Sequence, residues 1–276
     1  MKYGIDVPHA GEYFHPRVMA DLAFEAEQAG WDGFFISDSI GGPELIADPW
    51  IALSAVAMRT EQIRIGTTVT PLPRRRPWKV ARETTSLDHL SGGRLVLGVG
   101  IGSPASGEYE RFGEDGDAKI RGEKLDESLE VITGLWSGEH FEFHGKHYEL
   151  KNTVFKPTPL QVPRIPIWVG GEWPNMVPFR RAASWDGVYP IRVDETGVTS
   201  DNLKSILDFI DVHRVRKDPI EVVVQIGVVG DEKEKQIDLV EKYEEEGLTW
   251  AIFTVRPESR SLKESIARVR IGPPRK

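Results

Sequence analysis

The sequence contains no cysteine, which excludes disulfides, thiolate metal sites and thiol catalysis. It also lacks a long apolar run. The N-terminal MKYGIDVPHAGEY has none, and no stretch reaches the ~18 apolar residues of a membrane span. Basic residues are not in excess: lysine and arginine number 35 against 43 acidic residues, a formal net charge of −8. That balance argues against a nucleic-acid or anionic-membrane partner. The default expectation is a cytoplasmic enzyme acting on a small molecule. No serine–histidine–acid spacing is legible, because triad members meet only in space.

Hydrophobic residues make up 39% of the 276 and charged residues 28%, the balance of a soluble globular protein. The length suits a single α/β barrel. The chain is organised around residues 91–103, SGGRLVLGVGIGS. Gly92 and Gly93 close a helix, residues 95–99 read as a buried strand, and Gly98, Gly100 and Gly102 alternate at its end. Backbone without side chains leaves room there for a flat ligand or a phosphate.

The same theme recurs along the chain. Residues 2–7, 31–37, 62–69 and 94–100 read as four strands, and 167–170, 185–190, 221–229 and 248–255 as four more. Between them lie stretches with apolar residues at helical spacing, such as Met19, Leu22, Ala23 and Ala26, or Leu125, Leu129, Ile132 and Trp136. Asp48–Pro49 starts one helix as a capping carboxylate followed by a residue of preset φ. A hairpin around Gly145 and a proline-rich connection form an insertion after the fourth helix, within about residues 138–165. It is too short for a core of its own, so one domain over residues 1–276 is expected. Eight strand–helix units allow an open doubly wound sheet or a closed ring, and their number favours a (βα)8 TIM barrel.

In such a barrel the site lies at the C-terminal ends of the strands. That rule selects His9, Asp38, Ser39, Val69, Thr70 and Pro71, then Gly100, Gly102 and Ser103. Further along it selects Gly170 to Trp173, Ile191, Arg192, Arg256 and Glu258. The Gly170–Gly171 pair reads either as a phosphate site or as a tight βα turn. Arg74, Arg75 and Arg76 read either as a solvated loop or as a site for a polyanionic ligand tail. GVGIGS lacks the helix that a dinucleotide fingerprint requires immediately after it. His140, His144 and His147 read as a surface turn rather than a metal site, and no metal is expected.

Four stretches together resemble the luciferase-like flavin or deazaflavin oxidoreductases, the bacterial luciferase superfamily. They are ETTSLDHLSGGRLVLGVGIGS, the E-x-x-G-W-D-G-F-F-I-S-D run from Glu27, RGEKLDESLEVITGLWSGEHFEFHGKHYEL, and PIWVGG followed by RRAASWDGVYP. The resemblance covers nearly the whole chain and implies the same barrel. It further implies FMN or coenzyme F420 at the mouth, the ring near Thr68, Val69, Gly98 and Gly100, and the phosphate on Gly170 and Gly171. It implies a non-proline cis peptide at Thr68–Val69 and a homodimer. Many members carry Asp-His after the second strand, where this chain has Asp38–Ser39. The histidine's proton-transfer role is then missing, or His9 supplies it.

The leading functional expectation is oxidation of a small organic substrate with reduced FMN supplied by a separate flavin reductase. An F420-dependent hydride transfer and a non-catalytic flavin-binding protein are the alternatives. A metal-dependent isomerase or hydrolase ranks below these, because it needs more His, Asp or Glu at strand ends. Trp50, Trp78, Trp168 and Trp173 are candidates for an apolar substrate pocket.

Overall fold

A computed structural model describes residues 1–42, 44–103, 106–191, 197–255 and 261–275. The strands are β1 (Lys2–Val7), β2 (Gly33–Ile36), β3 (Arg64–Thr67), β4 (Thr70–Pro71), β5 (Leu95–Gly100), β6 (His140–His144), β7 (Glu149–Val154), β8 (Ile167–Glu172), β9 (Gly187–Ile191), β10 (Glu221–Val228) and β11 (Trp250–Thr254). The helices are α1 (Pro16–Gln28), α2 (Pro49–Arg59), α3 (Pro77–Ser91), α4 (Glu108–Arg111), α5 (Ala118–Trp136), α6 (Val177–Ala182), α7 (Ser200–His213), α8 (Lys233–Glu244) and α9 (Leu262–Val269).

The ring runs β3, β2, β1, β11, β10, β9, β8, β5 and closes where β5 pairs with β3. Its ladders are all parallel. This is a closed (βα)8 barrel. Parallel strands covered on both sides must be apolar on both faces, and β2 (GFFI) and β5 (LVLGVG) are buried throughout. Helix starts follow their capping residues: Asp48 accepts from the N–H groups of Trp50 and Ile51, both at 3.0 Å. Gly92, at φ 69°, ends α3 in the left-handed conformation anticipated from the glycine pair.

Three boundaries differ from the sequence reading. The third strand stops at Thr67, and the chain steps through Thr68–Val69 before the two-residue β4 resumes pairing with β5. The glycine-rich stretch after β5 carries the short helix α4. The strand expected to end at Gly170 continues to Glu172.

Two separate apolar cores result. One lies between strands and helices and includes Leu22, Leu53, Leu97 and Ile132. The other fills the barrel lumen: Phe35, Val96, Trp168, Tyr189, Val223, Trp250 and Ile252, with Val69 and Ile191 packed on it. Between α5 and β8 the chain makes the antiparallel β6–β7 hairpin. Glu127 of α5 accepts from the backbone N–H groups of Lys146, His147 and Tyr148 at 2.8–3.0 Å. Asp88 of α3, fully buried, accepts from the N–H groups of Leu160 and Gln161 and from the Gln161 amide.

Candidate functional site

Side chains of a strand alternate between its faces. With Phe35, Val96, Trp168, Val223 and Ile252 inside the lumen, the same alternation aims Asp6, Gly98, Gly170, Gln225 and Thr254 inward at the C-terminal half. The lumen therefore has a closed end and an open one. At the closed end the Trp168 and Trp250 rings stand 5.3 Å apart, and each meets Phe35. At the open end Asp6, Thr68 and Thr254 are partly exposed and Gln225 is exposed. An exposed glutamine on an inward position of a closed barrel faces an open pocket.

One wall of this pocket is the Thr67–Val69 step. The Thr68–Val69 peptide is cis. Glycines surround it for a packing reason. A Cβ on Gly98 would stand 1.9 Å from the Thr67 carbonyl oxygen, one on Gly100 2.8 Å from a Val69 methyl, and one on Gly170 3.0 Å from the other Val69 methyl. The alternating glycines thus leave room for the Thr67–Val69 step to pack against their main chain. Gly102, at φ 72°, has Pro71 and Tyr109 about its empty Cβ position. Gly171 makes room for Pro178 and Phe179 of α6 on its side-chain face. Val69, Thr68 and Gly170 remain partly exposed, so the rim opens at the step.

His9, Asp38 and Ser39 do meet in space. The His9 ring is 5% exposed, and its Nε2 accepts from the Ser39 N–H at 3.3 Å. Burial lowers the His9 pKa against the pull of Asp38 and Glu108. Asp38 is fully enclosed: Arg75 donates to both its carboxylate oxygens at 2.7 and 2.8 Å, and Arg74 to one of them at 2.8 Å. Arg74 also pairs with Glu108, whose carboxylate accepts from the Ile40 N–H at 2.7 Å. This corrects the reading of the arginine run. Arg74 and Arg75 are neither a solvated loop nor free for a polyanionic tail: both hold Asp38, and Arg74 also ties the loop after β2 to Glu108 of α4. Arg76 lies near the Trp78 ring.

The four tryptophans do not gather in one pocket. Trp168 belongs to the closed end of the lumen, and Trp50 is buried on α2 in the outer core. Trp78 is 39% exposed and stands edge-on to Tyr148. Trp173 lies beyond β8 against Phe179. His147 bonds Glu123 at 2.8 Å, and His89 bonds the Thr158 carbonyl. Among the described residues no three His, Asp or Glu are grouped to hold a metal, and no helix is long and apolar enough to cross a membrane. Arg192, Arg256 and Glu258 lie outside the described residues.

Sequence reasoning missed Asp6, Tyr189, Gln225 and Thr254. The Thr68 hydroxyl donates to Asp6 at 2.8 Å, and the Gln225 amide donates to the Thr254 hydroxyl. Burial pushes the Asp6 carboxyl up to about 6, against the lowering effect of the Thr68 bond. Burial also raises the Tyr189 phenol, and the Asp6 charge raises it further. The available signal was an acid between Ile5 and Val7 of KYGIDV and a glutamine in the middle of EVVVQIGVV. A polar residue inside a strand that must be buried is the informative exception.

Comparison with known proteins agrees with this architecture. An F420-dependent secondary alcohol dehydrogenase, solved with an F420–acetone adduct, superposes with a TM-score of 0.81, 16% identity, and coverage of 98% of this chain and 97% of that one; this shows the shared fold. An F420-dependent glucose-6-phosphate dehydrogenase of Nakamurella multipartita is 29% identical over 260 residues, 91% of this chain and 73% of that protein. The oxygenase component of a flavin-dependent trigonelline monooxygenase of Acinetobacter baylyi is 36% identical over 162 residues, 58% of this chain and 44% of that protein. The chain spans about half the length of several other curated relatives it matches. The luciferase-like monooxygenase family model matches residues 3–238, nearly the whole barrel, and the chain belongs to that family.

Proposed function

We propose that this chain is an oxidoreductase that uses reduced FMN to oxidise a small organic substrate in the pocket at the C-terminal end of the lumen. The observation that supports it most is the rim itself. The Val69 side chain sits sunk among Gly98, Gly100 and Gly170, and Thr68, Val69 and Gly170 stay partly exposed beside it. A planar ring fits against such a shelf. Thr68, Val69, Gly98, Gly100 and Gly102 are assigned to its ring, and Gly170 and Gly171 to its phosphate. The cofactor supplies the redox chemistry, while the protein provides position and a dry wall. On this reading His9 orients the loop after β2 through the Ser39 N–H, and Asp38 locks the same loop through Arg74 and Arg75.

F420-dependent hydride transfer is the second reading, favoured by the Nakamurella relative matched over 91% of this chain. FMN is preferred because Arg74 and Arg75, otherwise suited to a polyanionic tail, are committed to Asp38 and Glu108. A separate reductase, a homodimer and a cytoplasmic location complete the proposal.

Separate fluorescence titrations with FMN and with F420 test it. Tight binding of FMN alone is expected. Binding of F420 alone replaces the first reading by the second, and binding of neither removes both. Bound cofactor without turnover of any alcohol, ketone or aldehyde would leave a non-catalytic flavin-binding protein.

A further inference from the structure

We propose that Asp6 is the proton acceptor of this site, working through the Thr68 hydroxyl on a ligand that donates an O–H or N–H. The inference rests on the oxidoreductase reading above. Asp6 sits on an inward position of β1, in the polar layer above the aromatic end of the lumen, and is partly exposed to the pocket. Thr68 Oγ1 donates its hydrogen to Asp6 Oδ1 at 2.8 Å. With that hydrogen committed, the hydroxyl oxygen meets a pocket ligand as an acceptor. Thr68 belongs to the same step as Val69, so the hydroxyl lies where the ring is assigned.

The step balances without any change of oxidation state. The ligand's O–H or N–H bond breaks and its proton joins Thr68 Oγ1. The hydrogen that Thr68 held moves to Asp6 Oδ1, which becomes a neutral carboxylic acid. Water at the pocket later removes that proton. The groups facing Asp6 suit this role. On one side of β1, β11 places Thr254 in register with Asp6, bonded to Gln225 of β10; both are neutral. On the other side β2 turns the apolar Phe35 inward. Across the lumen Tyr189 is the titratable group, held protonated by burial and by the Asp6 charge. The carboxyl itself is lifted to about 6 by burial, which makes it a stronger base than an ordinary aspartate while leaving it ionised at pH 7. His9 is less suited: its ring is buried against Ser37 and Ser39.

The experiment measures cofactor affinity by fluorescence from pH 5 to 8, using whichever of FMN or F420 the wild-type protein binds. The affinity is expected to bend near pH 6. Asp6→Asn should abolish the bend, and Thr68→Val should move it upward, because the hydroxyl bond is what lowers the carboxyl. In turnover, Asp6→Asn should cut kcat by about 100-fold with KM within about threefold. A bend that survives in Asp6→Asn, or a wild-type profile flat across this range, overturns the inference while leaving the oxidoreductase reading intact. Wild-type protein that binds neither cofactor overturns that reading instead. Should Asp6→Asn fail to fold, Thr68→Val decides: an unmoved bend sinks the proposal.

Discussion

The two ends of the barrel lumen solve the same problem in opposite ways. At the N-terminal end Glu221 is a half-buried carboxylate with every neighbour arranged for it. The indole N–H groups of Trp168 and Trp250 donate to it at 2.8 and 3.1 Å, and Lys2 adds a charge at 3.0 Å. Burial would raise its pKa, but these bonds outweigh burial and hold it below the ordinary range. At the C-terminal end Asp6 has one hydroxyl partner and its pKa rises. A satisfied carboxylate closes one end; an under-satisfied one lines the other. The first arrangement stabilises, and the second stores proton affinity at the cost of stability.

The largest expected effect comes from emptying the closed end. Trp168→Ala should destabilise the fold by ~3–5 kcal/mol, because it leaves a cavity among Phe35 and Trp250 and removes a donor from Glu221. Urea unfolding followed by intrinsic fluorescence measures this; a loss under ~1 kcal/mol would mean that the closed end is not the anchor. Arg74→Ala comes next, at about 3 kcal/mol, because it strands Glu108 and weakens the cage around Asp38, both enclosed. Calorimetry at low and high salt separates this from a surface pair, since an enclosed network is little screened.

The third effect has the opposite sign. Burial pushes the folded carboxyl of Asp6 up to about 6, well above an ordinary aspartate. The native state therefore holds that proton more tightly than the unfolded chain. Its contribution is fully present below pH 4 and is lost as pH rises through 6. Asp6→Asn removes that loss and should stabilise the fold by at most about 3 kcal/mol at pH 7.5, with no gain at pH 4. Thermal melts at the two pH values check the sign. A variant less stable at pH 7.5 would break the contrast between the two ends.

The sequence was most informative where the physics is local. Short, largely apolar runs marked all eight barrel strands, and Asp48–Pro49 and Gly92–Gly93 marked helix ends. It was least informative where partners lie far apart. Asp38 finds Arg74 and Arg75 across 36 and 37 residues, so the arginine run looked solvated. Trp168 looked like a pocket residue because an apolar strand does not announce how deep each inward side chain sits, and Trp168 lies in the closed-end layer of the lumen. Asp6 was overlooked for the same reason, although an acid between Ile5 and Val7 is hard to place anywhere except a functional surface.

The anchoring of the β6–β7 hairpin has a consequence for how this barrel varies. Glu127 grips the hairpin turn by three backbone N–H groups, and Asp88 holds the returning chain at Leu160 and Gln161. Both grips are on main chain or on one glutamine amide, so they are nearly indifferent to which residues build the appendage. The segment behaves as a clipped-on cassette: its sequence and length can drift, while the two acidic clips keep the change from reaching the ring.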